Sequence, residues 1–254
     1  LAGQRRYGPK RVLKYFFDIG FKKIPTMTKT CIITGAAGGL GQRVTQKFLA
    51  EGYQVVATLG PHETMPAQER LFAAHVDVTN EEACAQLVAD TVARFGQVEA
   101  ALLLVGGFAM GGLAQADGTQ LEKMFMLNFE SAYFMARPLF DQMTQQPGGG
   151  QLVFVGARPA LLPAVGKDMV AYSLSKSLVF HLAELLNEAG RPHQVRATVV
   201  VPSTIDTLAN RAAMPQANFA DWVAPEALAD LMALVCSPTG APLRETVLKV
   251  YNNA

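Results

Sequence analysis

Residues 34–41 read Thr-Gly-Ala-Ala-Gly-Gly-Leu-Gly, and this stretch decides the fold. A short β-branched run, Cys31-Ile32-Ile33, leads into it, and a helical pattern with Val44, Phe48 and Leu49 on one face leads away. Strand, glycine turn and helix is the setting that a phosphate-binding turn needs. Gly35 lets the chain leave the strand sharply, Gly39 lets backbone approach a pyrophosphate, and Gly41 lets the helix lie close to the sheet. The helix then points unpaired N–H groups and the positive end of its dipole at the ligand. A glycine-rich turn without a ligand is spelled the same way, so the rest of the chain has to decide.

Outward from that turn the pattern is regular. The expected first strand ends at Thr34, and a helix from about Leu40 to Glu51 is stopped by Gly52. Tyr53–Leu59 reads as a second strand. Leu71–Val78 holds a third, ending on Asp77-Val78, and Thr79 with Glu82 spells a capping box for a helix reaching Phe95. The apolar run Ala100–Val105 suits a parallel strand covered on both faces. A glycine-rich loop, Gly106 to Gly112, precedes a helix over about Thr119–Met143, which Pro147 and the glycines at 148–150 end. Gln151–Val155 is the fifth strand, 156–169 a loop, and Val170–Ala189 a long helix. Val195–Val201 is the sixth strand, closed by Pro202; 203–224 is irregular, Pro225–Cys236 helical, and Glu245–Tyr251 a last strand. Strands alternating with helices predict an α/β fold, a single Rossmann-like, doubly wound and mainly parallel sheet spanning 27–254. Ligands of such sheets sit beyond the carboxyl ends of the strands, where the glycine turn, Asp77, Gly106, Gly156 and Pro202 all fall.

Composition narrows the function classes. The chain has 254 residues, 50% of them hydrophobic, enough for one sizeable core, and a net charge of +1 implies no polyelectrolyte partner such as nucleic acid. Cys31, Cys84 and Cys236 show no metal-ligand spacing and cannot all pair, which points to no metal site and to a reducing, cytoplasmic setting. No apolar run approaches the roughly 18 residues needed to span a bilayer. Residues 1–26 differ from the rest: seven lysines and arginines, from Arg5 to Lys23, face a single acid, Asp18, with Val12, Leu13, Tyr15, Phe16 and Phe17 between them. Such a basic amphipathic stretch can dock on a membrane surface or target an organelle. The reading adopted is an extension outside the fold.

Tyr172 and Lys176, in YSLSK, lie four apart at the head of the long helical pattern, and that spacing puts both on one face. An ammonium beside a phenol favours the phenolate, so a tyrosine placed this way can exchange a proton with substrate near neutral pH. The helix after Tyr172 is apolar on more than one face, through Leu174, Leu178, Val179, Phe180, Leu182, Leu185 and Leu186. The extra surface faces either a second subunit or loops of the same chain.

With TGxxxGxG and YxxxK together, the chain resembles the short-chain dehydrogenase/reductase family from about Lys29 to the C-terminus. The resemblance implies an NAD(P)-dependent oxidoreductase acting on a small molecule and assembling as a homodimer or homotetramer. It implies Tyr172 as the acid in reduction, Lys176 as its electrostatic partner and ribose ligand, and Asn128, in MFMLNFES, as the holder of a relay water. Cofactor contacts are implied for Gly35, Gly39, Leu40, Gly41, Asp77, Val78, Gly106, Tyr172, Lys176 and Thr207.

Two departures from the family pattern matter. A catalytic serine normally follows the fifth strand, yet VFVGARPA puts Ala157 there, and losing one donor to a developing oxyanion costs about 100-fold or more in rate. The fourth strand usually runs into NNAG, whereas Leu104-Val105-Gly106-Gly107 stands here. Both departures are similar to the dihydropteridine reductase branch, as are the GGFAMGG loop and the segment VVPSTIDTLANRAAMPQANFADW. That resemblance implies a conjugated, pterin-like acceptor. The alternatives are a carbonyl reductase for 3-oxoacyl or sugar substrates and a nucleotide-sensing protein without turnover.

The cofactor is NADP(H) or NAD(H). An acid after the second strand normally holds the adenosine ribose of NAD; Gly60 stands there instead, which leans the expectation to NADP(H), with Arg43 and His62 as candidates for the 2′-phosphate. Phe108, Met110 and Trp222 are candidates for lining a substrate pocket.

Overall fold

The computed structural model describes residues 28–253. The basic extension at 1–26 lies outside the described residues. Seven strands form one sheet in the order β3-β2-β1-β4-β5-β6-β7. They are β1 (Thr30–Thr34), β2 (Gln54–Leu59), β3 (Leu71–His75), β4 (Ala100–Leu103), β5 (Gly150–Val155), β6 (Val195–Pro202) and β7 (Val247–Val250). Every pairing is parallel, not merely most of them. The order reverses between β1 and β4, and a crevice opens where the connections leave those neighbours in opposite directions.

The helices are α1 (Gly39–Ala50), α2 (Glu81–Phe95), α3 (Gly118–Phe125), α4 (Ser131–Gln145), α5 (Arg158–Leu161), α6 (Pro163–Gly166), α7 (Val170–Gly190), α8 (Leu208–Ala213) and α9 (Pro225–Cys236). The side-chain alternation of the strands sorts them into two layers. Cys31, Ile33, Val55, Ala57, Val153 and Val200 point to one face and pack with Val44 and Phe48 of α1 and Leu228 and Met232 of α9. Ile32, Val56, Leu152, Phe154 and Val199 point to the other and pack with Met135, Leu139, Val179 and Ala183 of α4 and α7. Both faces are covered, which is why the strands read as apolar runs.

Several expected boundaries move, each for a local reason. β3 stops at His75, two residues short of Asp77. The expected box at Thr79 and Glu82 is not the cap of α2. Thr79 turns its amide and hydroxyl to Asp77 Oδ1, and Asn80 caps by accepting from Ala83 N at 2.9 Å. β4 stops at Leu103 because the amides of Leu104 and Val105 bond to the Thr34 hydroxyl oxygen, at 2.9 and 3.4 Å, rather than to a strand. The single helix expected over 119–143 is α3 and α4 joined by a π-helical turn at Met126–Glu130. The loop 156–169 contains α5 and α6, the irregular 203–224 contains α8, and the last strand is four residues long.

Candidate active site

The glycine turn is held from three sides. Thr34 Oγ1 clasps the start of the β4 loop, as above. Gly35 N donates to Thr58 Oγ1 at 3.2 Å and Ala36 N to Thr58 O at 3.2 Å, so the turn is tied to β2 as well. Gly35 has φ +63°, a left-handed conformation that glycine adopts without strain. Gly41 has no room for more than hydrogen, since a Cβ there would lie 2.1 Å from Gly35 O. A Cβ on Gly39 would meet Thr207 Cγ2 at 2.8 Å, which places Thr207, from beyond β6, against the start of α1. The first turn of α1 has no side-chain cap and no acid, so its amides are left for an anion. A turn stripped of side chains at a helix N-terminus, on the switch point of a parallel sheet, fits the pyrophosphate of a dinucleotide.

On the other side of the switch, side chains take over. Asn128 lies in the π-helical turn, which aims it into the protein; it is buried. Its Oδ1 accepts from Gly107 N at 2.9 Å, and its Nδ2 donates to Ser175 Oγ at 3.1 Å. A Cβ on Gly106 would lie 2.7 Å from Asn128 Oδ1 and 3.1 Å from Lys176 Nζ, so Gly106, Asn128 and Lys176 converge. Lys176 is buried in α7 and donates to Val155 O at 2.8 Å. Burial pulls its pKa down to about 8. Tyr172, one turn earlier, has its pKa pushed up to about 12 by burial. The direction is opposite to the one expected from the ammonium alone: Lys176 turns one of its N–H groups to Val155 O, and burial raises the phenol. Tyr172 stands protonated at neutral pH, the form an acid in reduction requires.

Ala157 follows β5, is 4% exposed, and offers no hydroxyl. The serines beside Tyr172 do not replace it. Ser173 donates to Gly166 O at 3.3 Å, and Ser175 donates to Tyr172 O at 2.9 Å while accepting from Asn128. Phe108, 60% exposed, meets the Tyr172 ring edge-on with centroids 5.0 Å apart. Its loop is anchored by a bridge between Gly111 and Met169 and by Gln120 Nε2, which donates to Met110 O at 2.9 Å. Trp222, by contrast, is 8% exposed and packs on Phe219, so it is a packing residue rather than an open wall.

At the far end of the crevice, Val78 is buried in the core while Asp77 is exposed. The hydroxyl and amide of Thr79 hold the Asp77 carboxyl below its ordinary range. Leu40 packs half-buried against the α1 layer. Arg43 is paired with Glu226 of α9 at 2.9 Å, an exposed ion pair. One group escaped the sequence reading altogether. Glu63 folds back so that its Oε2 accepts from Gly60 N at 2.7 Å, while His75 Nδ1 lies 2.8 Å from Gly60 O. A carboxylate thus does stand just beyond β2, delivered by a loop residue three positions later than an acid at the strand end would be.

The fold is that of an oxidoreductase that exchanges a hydride with a nicotinamide dinucleotide. A family model described as short chain dehydrogenase matches residues 29–218, and the chain belongs to that family. It is 31% identical over 191 residues to the uncharacterized oxidoreductase YuxG of Bacillus subtilis; the match covers 70% of this chain and 27% of that longer protein. It is 28% identical over 193 residues to an L-rhamnose 1-dehydrogenase (NAD(P)(+)) of a Sphingomonas species, covering 72% of this chain and 75% of the relative. Among solved structures, a short-chain dehydrogenase/reductase of Burkholderia xenovorans superposes with a TM-score of 0.81 at 24% identity, covering 89% of this chain and 96% of that one. The chain is an NAD(P)-dependent short-chain dehydrogenase/reductase. No helix among the described residues is long and apolar enough to cross a membrane.

Proposed function

We propose that this enzyme reduces a flat, conjugated acceptor of the dihydropterin type, with Tyr172 as the proton donor. The observation that carries the reading is Ala157. An ordinary ketone develops full negative charge on oxygen and needs a second donor beside the tyrosine; a conjugated C=N acceptor spreads that charge and needs less. The nearby serine hydroxyls are committed elsewhere, and an exposed Phe108 ring set edge-on to Tyr172 suits a planar substrate. Bound NAD(P)H supplies the hydride. In this reading Tyr172 hands its phenolic proton to the reduced substrate, and Lys176 holds the ribose and restores the proton balance of the phenol. Asn128 fixes the geometry between the Gly106 loop and α7. The cofactor contacts are the glycine turn with Leu40, together with Asp77, Val78, Gly106 and Thr207.

Glu63 supports NAD(H) over the NADP(H) to which the bare Gly60 leaned, because a carboxylate there would accept from ribose hydroxyls and repel a 2′-phosphate. A second copy of the chain is the proposed partner, docking on the side of α7 that exposes Leu174 and Leu185. Residues 27–254 form one domain in this reading, with 1–26 a basic extension. Three free, buried cysteines support a cytoplasmic setting.

The test is the purified protein with quinonoid dihydrobiopterin and each cofactor in turn. Turnover with either supports the reading, and none with both removes it. The second reading, a reductase or dehydrogenase for sugar carbonyls, is favoured by the likeness to the rhamnose enzyme. It predicts oxidation of free sugars with no pterin turnover.

A further inference from the structure

We infer that the amino-terminal end of the sheet, opposite the dinucleotide crevice, carries a second binding site, for a small phosphorylated or carboxylated anion held between Arg196 and Arg244. β6 outruns its neighbour: it begins at Val195, whereas the first residue of β7, Val247, pairs with Val199. No strand covers the edge of β6 ahead of that point. Asn187 of α7 takes over the pairing there, donating to Ala197 O at 2.8 Å and accepting from Ala197 N at 2.9 Å. The main chain is thereby satisfied, and beside it lies a cleft of about 740 Å³ between α7, the start of β6 and segment 241–246.

Two guanidiniums meet in this cleft on one neutral acceptor. Arg196 Nη1 donates to Ala241 O at 2.6 Å, and Arg244 Nη1 donates to the same oxygen at 2.8 Å. Burial, then the charge of Arg244, pull the pKa of Arg196 down. Neither guanidinium has an acidic partner among the described residues. Arg196 Nε is buried, with no partner among the described residues. Two convergent forks without an acid between them are the arrangement that takes a planar or tetrahedral oxyanion. Of the three acids that share the cleft, one is ion-paired, one faces a histidine and one takes a single main-chain amide. Glu188 pairs with Arg191 at 2.6 Å, Glu184 with His181 at 3.1 Å, and Glu245 accepts from Val247 N at 3.3 Å. An oxyanion in the cleft would relieve the repulsion between the two forks.

The test uses the full chain saturated with NAD(P)H, so that the dinucleotide crevice is filled. It is titrated calorimetrically with inorganic phosphate, pyrophosphate and citrate in separate arms. The expected result is saturable binding of one equivalent in at least one arm, weakened roughly 10-fold or more in Arg196→Gln and in Arg244→Gln. NAD(P)H affinity should be unchanged in both. Arg244 is exposed, so its variant keeps the experiment readable if Arg196→Gln folds poorly. Binding in the phosphate arms assigns a phosphoryl ligand and binding of citrate alone a carboxylate. No saturable binding in any arm, or binding equal in wild type and Arg244→Gln, overturns the site.

Discussion

The β1–β3 half of the sheet and the β4–β7 half border the same crevice but build it in opposite ways. The first half works by leaving atoms out. Gly35 and Gly41 make a tight turn, Gly39 lets Thr207 approach, Thr34 and Thr58 tie the turn down, and the first turn of α1 is left without a side-chain cap. The second half works by putting polar side chains where apolar ones would pack more cheaply: Asn128, Ser175 and Lys176 are all buried, and each is spoken for by a hydrogen bond. A backbone-built site tolerates no added atom, and a side-chain-built site tolerates no removed one.

The largest expected effect falls on the second half. Tyr172→Phe deletes one oxygen and should lower kcat by about 100- to 10,000-fold on a verified substrate, with NAD(P)H affinity held within about 2-fold. Steady-state kinetics beside a fluorescence titration read both, and unchanged turnover would sink the proton-donor role. Gly41→Ala probes the first half by adding one carbon. Its Cβ overlaps Gly35 O, so α1 must move, with a stability loss of about 1–3 kcal/mol by denaturant titration and a loss of NAD(P)H binding. Retained binding at wild-type stability would break the comparison.

Glu63→Gln blurs the line between the halves, since a side chain there serves the backbone-built side. It should shift the NADPH-to-NADH ratio of kcat/KM by up to about 10-fold towards NADPH, the exposed position limiting the effect. An unmoved ratio would return the preference to other residues. The smallest effect concerns Lys176 in the cofactor-free protein. The folded state releases this proton at about pH 8, the unfolded chain only near the ordinary lysine value of 10.5. The unfolded state binds more protons between those values, so this group makes stability rise with pH across that window. Lys176→Met should remove that rise, seen as the wild-type-minus-variant difference in denaturant midpoints at pH 8 and 10.

What could be read from sequence follows the same division. Glycine spacing shows where atoms are missing, so the turn at 34–41, β1, β2 and α1 were legible nearly to the residue. Tyr172, Lys176 and Asn128 were singled out through a motif, and the structure brings Asn128 and Lys176 together beside Gly106. Their protonation was not legible, because it depends on burial and on which carbonyl Lys176 reaches. Glu63 was missed because it sits in a loop without periodicity, and only the closing of that loop on Gly60 N gives it a position. The cap of α2 slipped by one residue because Asp77 takes the amide and hydroxyl of Thr79, which leaves Asn80 to accept from Ala83 N, and local hydrogen bonding rather than spelling decides this. The arginines at 196 and 244 carry no sequence signature, lying far apart in the chain and joined only by the carbonyl of Ala241.

The π-helical turn at Met126–Glu130 has a consequence for how this chain can change its length. An α-helix advances about 100° per residue, so the wider turn sets α3 and α4 in independent rotational registers. Losing one residue between 126 and 130 would restore an unbroken spiral, yet it would swing the amide of Asn128 off the Gly107 amide and the Ser175 hydroxyl together. The largely exposed loop segments at 113–116 and 214–217 carry no such phase relation. Single-residue insertions and deletions should therefore accumulate in those loops over evolutionary time and be purged from five positions at the centre of an outwardly ordinary helix.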